Sequence, residues 1–170
     1  RVPTSYSDLE EIVGSNPGHI IASSACLGSE VDIALLNHDK RDLVSFVSWC
    51  VKVFGKANFN LELQSSDSSD QKTVNPLLVR LARAIGLNFI VTTDSHYVHK
   101  EDFPIQEAFL NSRGSGDREV LDFYKYTYLQ SVDEIKSLLI SSGLTEQDAL
   151  LAISNTETVG ERCSDFDFRQ

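Results

Sequence analysis

The sequence contains no methionine, one tryptophan, three cysteines and four prolines among 170 residues. Three cysteines, Cys26, Cys50 and Cys163, are an odd number at irregular spacing with no C-x-x-C pair. That excludes a zinc-ribbon or dithiol redox signature and argues for a reducing, cytoplasmic setting. Basic residues are also scarce. Lys plus Arg number 15 against 25 Asp plus Glu, the formal charge is −10, and no run of basic residues occurs. An autonomous nucleic-acid-binding module needs clustered Lys and Arg to neutralise phosphates, so that class is excluded for the chain acting alone. The most apolar stretch, Leu43 to Phe54, contains Lys52 and is too short to span a bilayer, so no membrane contact is expected. G-x-S-x-G, G-x-G-x-x-G and G-x-x-x-x-G-K-[ST] are all missing, which removes hydrolase-elbow, dinucleotide and P-loop chemistry. A chain that starts at Arg1 and lacks methionine is expected to be part of a longer polypeptide.

What is present alternates between strand-like and helix-like segments over the first hundred residues, the pattern of parallel α/β structure. Ser7 and Glu10 have capping-box spacing ahead of a short helix through Val13. His19 to Ser24 suits a buried strand, followed by a tight turn at 25–28. A helix is expected from Asp39 to Phe54, with Leu43, Val47, Cys50, Val51 and Phe54 on its apolar face and Gly55 ending it. Phe59 to Gln64 alternates apolar and polar residues as a strand does. Ser65 to Asp70 reads as a flexible loop, Asn75-Pro76 as the cap and first position of a helix, and Asn88 to Thr93 as a third strand. Beyond Lys100, Glu101 to Ser112 reads as helix and Arg113 to Asp117 as a loop. Tyr124 to Leu129 is either a short strand or irregular. Two capped helices follow, at Ser131 with Glu134 and at Thr145 with Asp148. The expected organisation is an α/β part over 1–100 and a mostly helical continuation over 101–170.

Chemistry concentrates at Thr92-Thr93-Asp94-Ser95-His96, an Asp-x-His just past the end of a buried strand. Ligands bind at that end of parallel sheets, and alternate residues of an extended segment share a side, so Asp94 and His96 suit a cation. The same residues suit an exposed turn. Cys26 ends the first strand and is either a small buried apolar residue or a ligand. Cys50 and Cys163 are expected in the core. Glu62 faces either solvent or the site, and His99 follows closely in what reads equally as surface loop.

These segments in order resemble a known family. The run from His19 to Val31, containing Ser24-Ala25-Cys26-Leu27-Gly28-Ser29-Glu30-Val31, is similar to the SACLGGEV segment of the PHP (polymerase and histidinol phosphatase) domain of bacterial DNA polymerase III alpha subunits. Phe54-Gly55, Phe59 to Gln64, Val74-Asn75, Thr92 to Tyr97 with Glu101-Asp102, Tyr128 to Ser131 with Glu134, and Asn155-Thr156 continue the likeness. The resemblance implies the C-terminal strands and helices of a partial, PHP-type distorted (β/α)7 barrel followed by a helical segment. It implies Cys26, Asp94 and His96 as ligands of zinc or manganese; Glu62, by its place on the polar face of its strand, is the candidate to support them from behind. It also implies a parent DNA-directed DNA polymerase acting in DNA replication, with a possible 3'-5' exonuclease or phosphoesterase proofreading site. The isolated chain would be inactive, because the H-x-H and other ligands of the family precede the matched region. Ser29, Thr93 and Ser95 depart from the family pattern around the ligands. The implied partners are the remainder of the alpha subunit, replicase subunits including a proofreading exonuclease, and DNA through the parent enzyme. An alternative is a scaffold that stabilises the polymerase and docks a separate exonuclease, and another is a stand-alone PHP phosphoesterase. An open edge strand in a partial barrel further suggests pairing of two copies.

Overall fold

The computed structural model describes residues 3–114 and 118–163. Its element order is α1 (Tyr6–Ser15), β1 (Ala22–Ser23), α2 (Glu30–Leu36), α3 (Lys40–Phe54), β2 (Phe59–Gln64), α4 (Ser69–Ile85), β3 (Asn88–Thr92), a 3-10 turn (Lys100–Asp102), α5 (Phe103–Ser112), α6 (Arg118–Tyr124), α7 (Val132–Ser141) and α8 (Glu146–Arg162). The three strands form one parallel sheet in the order β1-β2-β3. The α/β expectation therefore holds. Among the described residues no helix is long and apolar enough to cross a membrane.

Alternation along β2 sets the layers. Phe59, Leu61 and Leu63, with Phe89 and Val91 of β3, are buried in one cluster with Val47 and Cys50 of α3 and Leu78 and Ala82 of α4. Asn60, Glu62 and Gln64 point to the opposite side, as the period of two requires. That polar face is what positions the site. A cavity of about 850 Å³ lies over it, with His19, Ser23, Asn60, Ile90 and Arg162 among its walls.

The free edge of β3 does not stay open. Helix α8 lies along it: Asn155 Nδ2 donates to Phe89 O at 2.8 Å, and Val91 N–H donates to Thr156 Oγ1 at 3.0 Å. The Thr156 hydroxyl is also 3.0 Å from Val91 O. Side chains thus satisfy the ladder groups that a further strand would take. These bonds close the β3 edge to a further strand, so the expected pairing of two copies would have to use β1, the other edge of the sheet.

Several local expectations shift for identifiable reasons. The α1 capping box is Ser5 with Asp8, not Ser7 with Glu10: Ser5 Oγ accepts from Asp8 N–H at 3.2 Å and Asp8 Oδ2 accepts from Ser5 N–H at 2.7 Å. The first strand is shorter than His19 to Ser24, because its partner β2 begins at Phe59, opposite Ala22. Helix α2 was not anticipated, although Ser29 Oγ accepting from Asp32 N–H marks its start. Ser65, Ser66 and Ser68 are buried, so 65–70 is not a flexible loop; Ser65 Oγ donates to Gln130 Oε1 at 2.5 Å and Gln130 returns a bond to Ser65 O at 3.0 Å. Helix α4 starts at Ser69, which puts Pro76 inside the helix and Asn75 in the core. Cys163 is exposed where α8 ends, while Cys50 is buried as expected. Residues 115–117 of the expected loop and 164–170 of the helical continuation lie outside the described residues.

Candidate metal centre

The turn after β3 carries the two residues the sequence singled out. Asp94 sits at φ 46°, in the left-handed region that Asp tolerates because its short polar side chain bonds locally. The reversal brings His96 Nδ1 to 2.6 Å from Asp94 O and 3.9 Å from Asp94 Oδ1. A carbonyl only accepts, so Nδ1 carries the proton in this contact and the neutral ring keeps its lone pair on Nε2, the arrangement that suits a metal-binding imidazole. The Asp94 carboxylate is itself held, since Gln64 Nε2 donates to Oδ2 at 3.2 Å.

Segment 124–129 pins the turn in place. His96 N–H donates to Thr127 O at 2.7 Å, Ser95 Oγ donates to Tyr128 O at 3.2 Å, and Tyr97 forms a parallel bridge with Tyr128. The Tyr124 ring meets His96 edge-on, with centroids 4.8 Å apart. Thus the ambiguous aromatic stretch is a clamp on the Asp-x-His turn. Asp94 is half-buried and His96 exposed, so both are reachable from solvent.

The remaining expected residues stand apart from this pair. Cys26 is a free, half-buried thiol in the turn after β1. Among the described residues no three of His, Cys, Asp and Glu gather into an arrangement that holds a metal ion. Asp94 and His96 are therefore brought together, and Cys26 does not complete a set with them. Glu62 lies on the polar face of the sheet between its neighbours: Thr92 Oγ1 donates to Oε1 at 2.7 Å and the Ser23 hydroxyl donates to Oε2. Its oxygens are occupied by the protein. His99 precedes the 3-10 turn and is exposed.

Three residues of this region escaped the sequence reading. Gln64, which orients Asp94, is legible only as a polar position of an alternating strand. Asn75 supports Gln64 from behind, accepting from its N–H at 3.3 Å and donating to its carbonyl at 2.9 Å. Asp32 is fully buried, and neither carboxyl oxygen has a hydrogen-bond partner among the described residues. Burial, and next the negative charge of Glu62, push its carboxyl up to about 8. The chemistry follows from the donors. One carboxylate and one imidazole suit zinc or manganese, but two donors at one place do not make a closed or catalytic site. No reaction step is derived through a metal from these residues alone.

No family model matches the chain. It is 41% identical over 182 aligned residues, covering 98% of the chain, to the DNA-directed DNA polymerase of Bacillus phage SPbeta, and equally to the probable DNA polymerase YorL of Bacillus subtilis. It is 30% identical over 151 residues, covering 86% of the chain, to the DNA polymerase III subunit alpha of Borreliella burgdorferi. The chain spans about 14% of the length of the first two and 12% of the third. Over nearly all its length the chain is thus similar to one short segment of DNA polymerases, the polymerase III alpha subunits among them.

Proposed function

We propose that the chain is a segment of the PHP domain of a replicative, DNA polymerase III alpha-type enzyme in the cytoplasm. Residues 1–100 would be the C-terminal α/β part of its barrel and 101–170 the helical continuation. The observation that carries this reading is the 41% identity to DNA polymerases along 98% of the chain. The parallel sheet with Asp94 and His96 past the end of β3 supports it, as does the cavity over the polar face, where further strands of a barrel would stand. The parent would be a DNA-directed DNA polymerase that contacts DNA mainly through other parts, which accommodates the acidic balance of this segment.

In the parent, Cys26, Asp94 and His96 would contribute to a zinc or manganese site completed by residues elsewhere in the polymerase, with Glu62 fixing the strands behind it. A metal there would lower the pKa of bound water and orient a phosphodiester, the chemistry of proofreading hydrolysis. A second reading is that the domain is a scaffold that stabilises the polymerase and docks an exonuclease, which accommodates the absence of three gathered donors among the described residues. Metal content of the full-length polymerase separates the two. Stoichiometric zinc or manganese in the wild type, lost in His96→Ala and Asp94→Asn with polymerisation retained, is the outcome expected of the metal-site reading. Equal metal content in wild type and variants would overturn it and leave the scaffold.

A further inference from the structure

Helix α1 packs across α3 and leaves a cavity of about 540 Å³ whose walls are the rings of Tyr6, Phe46 and Trp49 and the carboxylates of Glu10, Glu30 and Asp42. The rings are set before any ligand arrives. Tyr6 meets Trp49 edge-on at 4.5 Å between centroids, and Phe46 lies at 6.1 Å with its plane tilted 30° from the indole. The indole N–H donates to Glu10 Oε1 at 2.9 Å, and the Tyr6 hydroxyl reaches Glu30 Oε1 at 3.5 Å. Every charged group in the walls is negative. Lys52 and Arg41 pair with Glu10 and Asp42 from the rim, but both side chains are largely exposed and such pairs are weak. Glu30 has no ion pair among the described residues.

We propose that this cavity binds an arginine side chain presented by a basic segment of a partner protein. Ring faces carry negative potential and attract a cation, most strongly at tryptophan. A planar guanidinium stacks on such rings while its N–H fork bonds carboxylates in pairs, which an ammonium does less well. The alternatives fit poorly. A nucleic acid would meet three carboxylates, a purely apolar ligand would bury them unpaired, and among the described residues no three such groups converge closely enough to hold a metal ion. The proposal is independent of the polymerase reading, since it rests on α1, α2 and α3 alone.

Trp49 is the chain's one tryptophan, so its emission reports on this cavity directly. The probe is a short Gly/Ser peptide carrying arginine, titrated into the full chain, with the same peptide carrying glutamine as control. A saturable change in emission with the arginine peptide only, weakening as salt is raised, is expected. Glu30→Gln combined with Asp42→Asn should weaken binding roughly fivefold, the sum of two exposed charge contacts. Both positions are exposed, and unchanged far-UV circular dichroism checks that the variant folds. An equal response to the two peptides, no response at millimolar peptide, or unaltered binding by the double variant would each overturn the proposal.

Discussion

Replacing Asn75 by leucine should be among the most damaging single changes to the chain. The residue is fully buried at the middle of α4 and makes four hydrogen bonds to three elements. Its Oδ1 accepts from Gln64 N–H at 3.3 Å and from Gln71 Nε2 at 2.8 Å; its Nδ2 donates to Gln64 O and to Ser142 Oγ, both at 2.9 Å. Leucine conserves the branched shape and removes every one of these. Ser142 keeps a bond to Leu139 O at 2.8 Å and the Gln64 carbonyl keeps one from Ser66 N–H at 3.0 Å, but the Gln64 N–H and the Gln71 amide lose their partner inside the core. Each orphaned buried group costs about 1–3 kcal/mol, and partial relaxation brings the total to about 4 kcal/mol. For a chain of this size that corresponds to a fall in Tm of about 8–15 °C. Urea and thermal unfolding followed by circular dichroism measure it, with Ser142→Ala as a milder comparison. A loss below about 1 kcal/mol would refute the assignment of Asn75 as the tie between β2, α4 and the end of α7.

Two further outcomes follow from the same reasoning. Thr156→Val keeps the shape but strips the hydroxyl from the β3 edge, leaving Val91 N–H unpaired; the cost should be about 1–3 kcal/mol, with faster hydrogen exchange at Val91 as the local signature. Unchanged exchange there would mean that α8 does not protect the edge. Asp32 should make stability depend on pH. Its folded carboxyl titrates at about 8 against an ordinary 3.8, so the folded state binds the proton more tightly. Stability is therefore full below about pH 4 and is lost as pH rises towards 8, by on the order of 6 kcal/mol. Asp32→Asn should flatten that slope and be more stable than wild type at pH 8 in urea unfolding; parallel profiles for the two proteins would contradict the burial of an uncompensated carboxyl.

The elements that sequence alone made legible are those whose signal is local. Asp39, Gly55 and the apolar stripe between them define α3, and strict alternation defines β2. Where tertiary contacts decide, local reading fails. Asn75-Pro76 has the chemistry of a helix start, yet Asn75 is used as a surrogate strand edge for Gln64, and the Pro76 ring packs 3.4 Å from where a Cβ would stand on Gly143. Ser65 to Asp70 has a loop's composition, but Gln130 reaches back across 65 residues to bury its first serine. No window of neighbouring residues contains that information.

The candidate site divides along the same line. Asp94 and His96 are two positions apart in sequence, and one left-handed residue suffices to bring them together. What holds them ready is remote: Gln64 from β2, Tyr124 from α6, and the backbone of Thr127 and Tyr128. These partners are tied to positions that look structural in the sequence, because amide and carbonyl groups leave no motif. Gln64 connects the two systems, since its backbone hangs on Asn75 and its side chain on Asp94. A core substitution at Asn75 should therefore loosen the Asp94–His96 turn as well as destabilise the fold. Hydrogen exchange at the His96 amide, bonded to Thr127 O at 2.7 Å, should rise in Asn75→Leu under conditions where the chain stays folded. Protection of that amide equal to wild type would show that the 124–129 clamp alone positions the turn and that Gln64 adds nothing to it.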